Sequence, residues 1–229
     1  MAKQRTTPTA TKPEKRAKVF LVDDHAIVRQ GLAELINDQS DLITCGEADS
    51  PSQAMKLIAP AEPDLAVLDI TLNGGDGIEL CRQLKETHPK LAILMLSMHD
   101  ETMYAERALR AGAMGYVMKQ APQETVMAAI RKVLGGQMYL SDAVSGKLLR
   151  SFGRPGAGAD VPPLERLSDR ELQIFQMIGQ GRSVRDIAEA LFLSPKTVET
   201  HKEHIKQKLN LSSSNDLLRY AIESRMSGK

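Results

Sequence analysis

The sequence predicts a doubly wound α/β domain with a five-stranded parallel sheet, and a separate all-α domain of four helices after it. Between residues 17 and 138, short apolar runs alternate five times with segments of helical periodicity. After residue 163 the periodicity is only helical. Strand–helix alternation implies parallel strands joined by right-handed crossovers, which place helices on both faces of the sheet.

Five apolar runs supply the predicted strands, and each is followed by a segment with helical spacing of its apolar residues. The strands are Lys18–Val22, Leu42–Cys45, Asp64–Ile70, Leu91–Leu96 and Tyr116–Met118. The helices are His25–Asp38, Pro51–Ala59, Ile78–His88, Glu101–Ala111 and Pro122–Leu134. Ser50 before Pro51 is typical of a helix start, and Gly135 of a helix end.

The C-terminal part is predicted to form a helix-turn-helix. Ser168 and Glu171 have capping-box spacing and open the first helix, which runs to about Gln180. The remaining helices are Val184–Leu191, Ser194–Leu209 and one that follows Ser212–Ser214 and runs to about Ser224. Two short helices joined by a tight turn, ahead of a longer polar-faced helix, are typical of this motif.

Composition and the outer segments limit the class of protein. The chain of 229 residues is 42% hydrophobic and 26% charged, without an apolar run long enough for a membrane span. Residues 1–16 form a polar, basic tail that we expect to be disordered, and residues 139–163 form a Gly/Pro-rich linker with a possible short helix at 141–150. Two cysteines are too few for a disulfide framework, so we expect a cytoplasmic protein.

The net charge of +1 conceals two parts of opposite sign. Residues 17–140 carry six more acidic than basic residues, whereas residues 164–229 carry two more basic than acidic ones. The difference favours two modules with different partners, although an excess of two positive charges indicates nucleic acid only weakly.

Polar side chains follow four of the predicted strands. Asp23 and Asp24 come after the first strand, and Asp69 lies at the C-terminal end of the third. Ser97 follows the fourth strand and Lys119 follows the fifth. Parallel strands deliver such residues to one edge of the sheet, where three carboxylates suit a hard cation, Mg²⁺ before Zn²⁺. A metal, a hydroxyl and an ammonium group around Asp69 make it a candidate nucleophile for phosphoryl transfer.

Each of these residues also has an ordinary structural interpretation. An aspartate after a strand is most often a turn or helix-cap residue, and a single serine or lysine in a loop is most often a surface residue. The occurrence of all five at strand ends of one α/β domain favours the site.

The motifs LVDDH, VLDITLNGGDGIEL, MLSMHD and GAMGYVMKQ resemble the receiver domain of two-component response regulators over residues 17–135. The resemblance implies a flavodoxin-like sheet with strand order 2-1-3-4-5, and an Asp69 that accepts a phosphoryl group from a histidine kinase and later loses it to water. It also implies Mg²⁺ ligands, phosphoryl-binding groups and a switch aromatic. These are Asp23, Asp24, Asp69 and the backbone carbonyl of Thr71 for Mg²⁺, Ser97 and Lys119 for the phosphoryl oxygens, and Tyr116 as the switch.

The sequence departs from the family pattern in two loops. Asn73 and two glycines stand where the family often has Met-Pro after the phosphoacceptor, and Gln120 stands where a proline often follows the lysine. Neither departure removes a chemical group of the site.

Residues 164–226 resemble the LuxR-type helix-turn-helix of the NarL/FixJ class of response regulators, through LSDREL, SVRDIA and SPKTVETHKEHIKQKL. Val198, Ile205 and Leu209 define one apolar face of the third helix, and His201 near it is expected to be a packed histidine. The opposite face is expected to enter the major groove of DNA. Its residues are Lys196, Thr197, Glu199, Thr200, Lys202, Glu203 and Lys206.

Two acids on this face have two interpretations that the sequence does not separate. Glu199 and Glu203 could accept hydrogen bonds from cytosine, or they could pair with Lys202 and Lys206 and restrain these lysines.

The sequence thus predicts a phosphorylation-controlled, DNA-binding transcription regulator, in which a phosphoryl group on Asp69 alters dimerisation or releases the C-terminal domain to control promoter binding. A homodimer is expected after phosphorylation. It is not expected to be an enzyme beyond self-phosphorylation and slow self-dephosphorylation. An Asp-dependent phosphatase is a weaker alternative, because the second carboxylate of the D-x-D-x-T motif is missing after Asp69. A phosphorylation-independent interaction module is disfavoured by the presence of all five site residues.

Overall fold

A computed structural model of the chain describes residues 16–146 and 162–227. Its main sheet consists of β1 (Ala17–Val22), β2 (Leu42–Ala48), β3 (Leu65–Leu68), β6 (Ala92–Ser97) and β7 (Gly115–Met118). All neighbouring strands are parallel, in the order β2-β1-β3-β6-β7. If the main-sheet strands alone are counted, this is the flavodoxin-like order 2-1-3-4-5, as predicted.

The strand β2 is longer than predicted. Gly46 and Glu47 break the apolar run, but the backbone continues to pair with β1 through Phe20↔Gly46 and Val22↔Ala48. The extension therefore depends on pairing with a neighbour, which local periodicity does not record.

A two-stranded antiparallel hairpin occupies the glycine loop that follows Asp69. It consists of β4 (Thr71–Leu72) and β5 (Gly75–Asp76), and Thr71 pairs with Asp76. Gly74 allows the tight turn because its φ of 76° lies in the left-handed region, which glycine adopts without steric cost. The prediction of a plain loop was wrong here, since strands of two residues leave no periodic signal.

Five helices cover the two faces of the sheet. They are α1 (Ala26–Asn37), α2 (Pro51–Ala61), α3 (Gly77–Thr87), α4 (Glu101–Arg110) and α5 (Gln123–Leu134). Side chains alternate across each strand, so Leu21 packs in the cluster with α1 and α5, whereas Phe20 packs in the cluster with α2, α3 and α4.

The C-terminal helices are α6 (Asp169–Gly179), α7 (Val184–Ala190), α8 (Pro195–Leu209) and α9 (Ser214–Ser227), after a 3₁₀ turn at Pro163–Arg166. The predicted capping box is present, because the Ser168 side chain accepts from the Glu171 amide and the Glu171 side chain from the Ser168 amide. In the region of the possible short helix, residues 142–146 are helical. Residues 147–150, most of the predicted linker and nearly all of the predicted N-terminal tail lie outside the described residues.

The two domains are in contact through α4 and α6. Arg107 on α4 donates hydrogen bonds to the carbonyls of Leu164 and Leu167, both at 2.7 Å, and to the Asp169 carboxylate at 2.9 Å. Tyr104 and Phe175 belong to one buried apolar cluster that continues across this contact. None of the helices in the described part of the chain has the length and apolar character required to cross a membrane.

Candidate functional site

The polar residues predicted at the strand ends meet at one edge of the sheet. Asp23 and Asp24 follow β1, Asp69 follows β3, Ser97 ends β6 and Lys119 follows β7. Since β1, β3, β6 and β7 are consecutive in the parallel sheet, their carboxyl ends are adjacent. The structure therefore brings all five residues together.

Lys119 joins two of the carboxylates. Its Nζ lies 2.5 Å from Oδ2 of Asp23 and 2.7 Å from Oδ2 of Asp69, and all three side chains are buried. Burial alone lowers the pKa of Lys119, but the two carboxylates outweigh burial and raise the pKa above its usual value. The lysine is therefore a fixed positive charge between two acids.

Asp69 is buried and held on both oxygens. Its Oδ1 accepts a hydrogen bond from the Ile70 amide at 2.7 Å, and Oδ2 faces Lys119. Burial raises the pKa of Asp69 to about 6, against the lowering effect of Lys119. The carboxyl is thus still largely ionised at neutral pH.

Gly77 packs directly against the backbone of Asp69. A Cβ at this position would lie 1.8 Å from the Asp69 carbonyl oxygen, so a residue with a side chain could not occupy it without displacing the backbone. Sequence reasoning missed this role of Gly77, because a glycine at the start of a helix looks like part of an ordinary turn.

The acidic residues form a set that fits a cation. Ligand atoms of Asp23, Asp24, His25 and Asp69 lie within 4.8 Å of one another. Oδ1 of Asp24 is buried and, among the described residues, accepts no hydrogen bond, although His25 Nδ1 is 2.8 Å away. Burial raises the pKa of Asp24, and Asp23 adds to this against the opposing effect of His25. A buried carboxylate oxygen that accepts no hydrogen bond, beside two further carboxylates, is the oxygen chemistry that Mg²⁺ prefers in its ligands.

His99 links the remaining site residues, and sequence reasoning did not single it out. The His99 amide donates to Ser97 Oγ at 3.2 Å, and its carbonyl accepts from the Tyr116 hydroxyl at 2.8 Å. Its ring Nε2 lies 2.8 Å from Thr71 Oγ1. Tyr116 is buried, which raises the pKa of its hydroxyl well above the usual value. The aromatic residue predicted as a switch thus occupies an inward position in this structure, and the peptide bonds of the described residues, including Lys119–Gln120, are trans.

The predicted DNA-facing side of α8 is largely exposed. Val198 and Ile205 are buried against the domain, whereas Lys196, Glu199, Thr200 and Glu203 are exposed. Thr197, Lys202 and Lys206 are partly buried. This face therefore exposes four of the seven predicted residues to solvent and leaves the other three only partly exposed.

Both acids of this face form ion pairs in the structure. Lys202 Nζ lies 3.0 Å from Glu199, and Lys206 Nζ lies 2.8 Å from Glu203. The two hydroxyls also have local partners, since Thr200 donates to the Lys196 carbonyl and Thr197 bonds to Ser194. This geometry matches the interpretation in which the acids restrain the lysines.

A second cluster of possible metal ligands lies under α8. Atoms of Glu171, His201 and His204 lie within 4.8 Å of one another. Glu171, however, already accepts hydrogen bonds from the Ser168 amide at 2.7 Å and from Lys208 Nζ at 2.6 Å. The ammonium group would repel a cation, so the geometry favours a packed histidine at His201, whose pKa burial lowers.

Comparison with known proteins identifies both parts of the chain. Residues 19–131 match the response regulator receiver domain, and residues 165–221 match the luxR family of bacterial regulatory proteins. The oxygen regulatory protein NreC of Staphylococcus haemolyticus is 36% identical over 213 residues, which cover 91% of this chain and 98% of that protein. The chain belongs to the response regulators. NreC of Staphylococcus carnosus is similar to this response regulator to the same extent.

Solved structures agree with this assignment. A LuxR-family two-component response regulator from Aurantimonas sp. SI85-9A1 is 32% identical, with a TM-score of 0.57 over 61% of this chain and all of that one. RcsB of Salmonella enterica serovar Typhimurium, bound to the promoter P1flhDC with the phosphomimetic BeF₃⁻, is 25% identical, with a TM-score of 0.59 over 90% of this chain and 98% of that one. This response regulator therefore combines a receiver domain with a LuxR-type, DNA-binding transcription-regulator domain.

Proposed function

We propose that this response regulator controls transcription through phosphorylation of Asp69, with residues 17–138 as the receiver, 139–163 as the linker and 164–229 as the DNA-binding domain. The observation that carries the proposal is the environment of the Asp69 carboxylate. It lies 2.7 Å from Lys119 Nζ, at the sheet edge that also holds Asp23, Asp24 and Ser97. A nucleophilic carboxylate and a fixed cation are thus in contact, and a hydroxyl lies at the same edge of the sheet.

The proposed reaction is transfer of a phosphoryl group from a phosphohistidine of a cognate kinase. A carboxylate oxygen of Asp69 forms the new P–O bond, the P–N bond breaks, and the imidazole leaves with the electron pair and takes up a proton. Lys119 neutralises charge on the phosphoryl oxygens, and Ser97 donates a hydrogen bond to one of them. In slow self-dephosphorylation, a water molecule would attack the phosphorus atom, break its bond to Asp69 and release inorganic phosphate.

The acidic residues of the pocket fit Mg²⁺, and Asp23, Asp24, Asp69 and the backbone carbonyl of Thr71 would hold it. The buried Oδ1 of Asp24, which accepts no hydrogen bond among the described residues, supports this assignment. When bound, Mg²⁺ supplies positive charge to the phosphoryl oxygens in addition to that of Lys119.

The α8 face is proposed to read DNA. Lys196, Lys202 and Lys206 would bind phosphates, with Thr197 and Thr200 as additional hydrogen-bond donors that set the register. Glu199 and Glu203 restrain the lysines until phosphates replace them. The RcsB structure with promoter DNA supports the role of the domain.

Dimerisation on phosphorylation and a cytoplasmic location complete the proposal. A single helix-turn-helix reads few base pairs, so two copies on a two-fold symmetric site gain affinity through effective concentration. Tyr116 and Ser97 would link the phosphoryl group to this change, because both bind the backbone of His99.

Phosphorylation with acetyl phosphate and Mg²⁺ tests the proposed reaction. Intact-mass measurement should show one added phosphoryl group on the wild type and on Asp38→Asn, whose side chain is exposed and distant from the pocket. Asp69→Asn should gain none. An unmodified wild type, or a phosphorylated Asp69→Asn, would falsify the assignment of the phosphoacceptor.

The salt dependence of DNA binding tests the proposed DNA surface. Lys196→Ala should weaken binding about equally on all sequences and reduce the salt slope by about 1, because it removes one phosphate contact. Lys56→Ala, an exposed substitution on α2 of the receiver, should leave the slope unchanged. Equal slopes for both variants would exclude Lys196 as a phosphate ligand.

A further inference from the structure

Arg29 on α1 lies beside the loop that carries Asp23 and Asp24. Its Nη1 donates a hydrogen bond to the backbone carbonyl of Asp23 at 2.6 Å, and its Nε donates to Oε2 of Glu47 at 3.1 Å. The Arg29 side chain is only 18% exposed. A guanidinium presents its donors in a rigid fork, so a single group holds two acceptors in a fixed relation. Arg29 therefore ties the loop after β1 to the strand β2.

The carbonyl that Arg29 binds belongs to the peptide between two of the acidic residues. A peptide unit is planar and contains the Cα atoms of both residues that it joins. A hydrogen bond to the Asp23 carbonyl therefore restrains the plane from which the side chains of Asp23 and Asp24 both extend. Oδ1 of Asp24 accepts no hydrogen bond among the described residues, so its position depends on the orientation of this peptide.

Glu47 gives Arg29 a fixed anchor on the sheet. It pairs with Leu21 in the ladder between β1 and β2, in the part of β2 that local periodicity does not predict. Gly46 makes this part possible, because a Cβ there would lie 2.5 Å from the buried ring of Phe20. The extension of β2 thus places a carboxylate beside Arg29, next to the end of β1.

Other contacts hold the rest of the same loop. The Asp23 amide donates to the Ala48 carbonyl at 3.1 Å, and the His25 amide donates to Oδ1 of Asp23 at 2.9 Å. The side chain of His25, the N-cap residue of α1, makes no capping hydrogen bond. The guanidinium of Arg29 thus links the first turns of α1 to the loop where a capping side chain does not.

We propose that Arg29, held by Glu47, is a positioning residue for the Mg²⁺ site. It orients the Asp23–Asp24 peptide and so increases the affinity of the two carboxylates for the ion. The inference rests on the proposed Mg²⁺-binding function of these acids and adds a residue that acts on them through the backbone. Arg29 itself carries a positive charge, so electrostatics alone would make it weaken the binding of a cation.

Calorimetric titration of the full-length protein with Mg²⁺ tests the role of the fork. Arg29→Lys keeps the charge but cannot hold two acceptors in the same geometry. The dissociation constant for Mg²⁺ should rise about tenfold, because loss of a group that holds a metal ligand typically costs roughly 10–100-fold in affinity. Arg82→Lys on α3, where Arg82 forms an exposed ion pair with Glu79, is the matched control and should bind as the wild type does. A rise of less than about threefold in Arg29→Lys would overturn the proposal.

A second variant separates position from charge by the sign of its effect. Arg29→Met keeps an unbranched side chain but removes both donors and the positive charge. Loss of a nearby cation would by itself strengthen Mg²⁺ binding, whereas loss of a positioning contact weakens it. We expect weaker binding, with circular dichroism at the titration temperature showing that the variant is folded. Unchanged or tighter binding would show that Arg29 acts only through its charge.

A double-mutant cycle tests the part assigned to Glu47. Glu47→Gln should raise the dissociation constant for Mg²⁺ in the wild type but should cause no further rise in Arg29→Met, because Glu47 acts through Arg29. An equal rise in both backgrounds would mean that Glu47 acts on the ion directly, and its role as the anchor would be wrong.

The rate of phosphorylation by acetyl phosphate separates metal binding from the reaction. Arg29→Lys should need more Mg²⁺ for its half-maximal rate, while its maximal rate at saturating Mg²⁺ should stay within about twofold of the wild type. A maximal rate that remains lower at saturating Mg²⁺ would place Arg29 in the reaction itself and overturn the positioning role.

Asp24→Asn distinguishes failure of this inference from failure of the proposed function. If Asp24→Asn weakens Mg²⁺ binding but Arg29→Lys does not, the Mg²⁺ site stands and the role of Arg29 is wrong. If Asp24→Asn binds Mg²⁺ as tightly as the wild type, the proposed Mg²⁺ site is wrong and the inference about Arg29 fails with it.

Discussion

The proposed phosphorylation pocket and the outer face of α8 are both rich in charge, but they differ in burial. In the pocket, the side chains of Asp23, Asp69 and Lys119 are at most 8% exposed, and the ends of three strands fix their positions. On α8, Glu199 and Glu203 are more than half exposed, and each contacts a lysine one turn away. The first region uses tertiary structure to hold charges together, whereas the second uses a single helix.

This difference implies different energetics. Buried charges interact strongly because water does not screen them, so removal of one partner leaves the other uncompensated. Exposed pairs are worth little and exchange partners easily. A buried cluster suits a site that must bind one group with defined geometry. Exposed acids suit the proposed DNA surface, where the lysines would exchange them for DNA phosphates.

Removal of the buried cation should have the greatest effect on stability. Lys119→Met leaves Asp23 and Asp69 facing each other without a counter-charge, so the free energy of unfolding in Mg²⁺-free buffer should fall by about 3–5 kcal/mol. Urea denaturation followed by circular dichroism measures the change. Lys56→Met, which removes an exposed lysine, should stay within about 0.5 kcal/mol of the wild type. A loss below about 1 kcal/mol for Lys119→Met would remove the energetic distinction between the two regions.

A buried charge within the DNA-binding domain tests whether burial, rather than the domain, sets the effect. Burial raises the pKa of Glu171, but its bonds with Lys208 and Ser168 outweigh burial and lower the pKa below the usual value. Glu171→Gln should therefore cost about 1.5–3 kcal/mol of unfolding free energy at pH 7. Folding stabilises the charged form of Glu171. The difference in unfolding free energy between Glu171→Gln and the wild type should therefore reach its full value above the pKa of Glu171 in the unfolded chain. It should decrease as the pH falls through the lower pKa of Glu171 in the folded protein.

Urea denaturation at pH 7 and at pH 4 measures this dependence on pH. Glu189→Gln, an exposed substitution on α7, should differ from the wild type by less than about 0.5 kcal/mol at both values. A Glu171→Gln effect that grows towards low pH has the wrong sign for a stabilised carboxylate and would exclude the Lys208 pair as its cause.

An exposed acid of α8 should have the smallest effect on stability. Glu203→Gln should change the free energy of unfolding by about 1 kcal/mol or less, because it removes one surface ion pair. It should raise DNA affinity equally across sequences, since Lys206 becomes free for phosphates. Retardation assays on duplexes with single base changes distinguish the alternatives. A loss of affinity confined to one C·G pair would show instead that Glu203 accepts a hydrogen bond from cytosine.

The strand-end residues of the site could be predicted from the sequence because two local signals coincide. Asp23, Asp69 and Lys119 follow apolar runs in register with a strand–helix repeat, and parallel topology then brings them to one edge. His99, Gly77 and Asp76 had no such signal. Their roles depend on atoms far along the chain: Asp76 bonds to a glutamine 97 residues later, and Gly77 is required because the Asp69 carbonyl passes close by.

The sequence by itself determined the alternation of the five main strands with their helices, the capping box at Ser168 and the identity of the groups at the sheet edge, since each follows from spacing and side-chain chemistry over a few residues. Only the tertiary structure decided how α6 meets the receiver. The contact of Gln173 and Gln176 with Asp76 and Tyr104 depends on the relative placement of two domains, and no local periodicity encodes which polar groups such a placement will bury together.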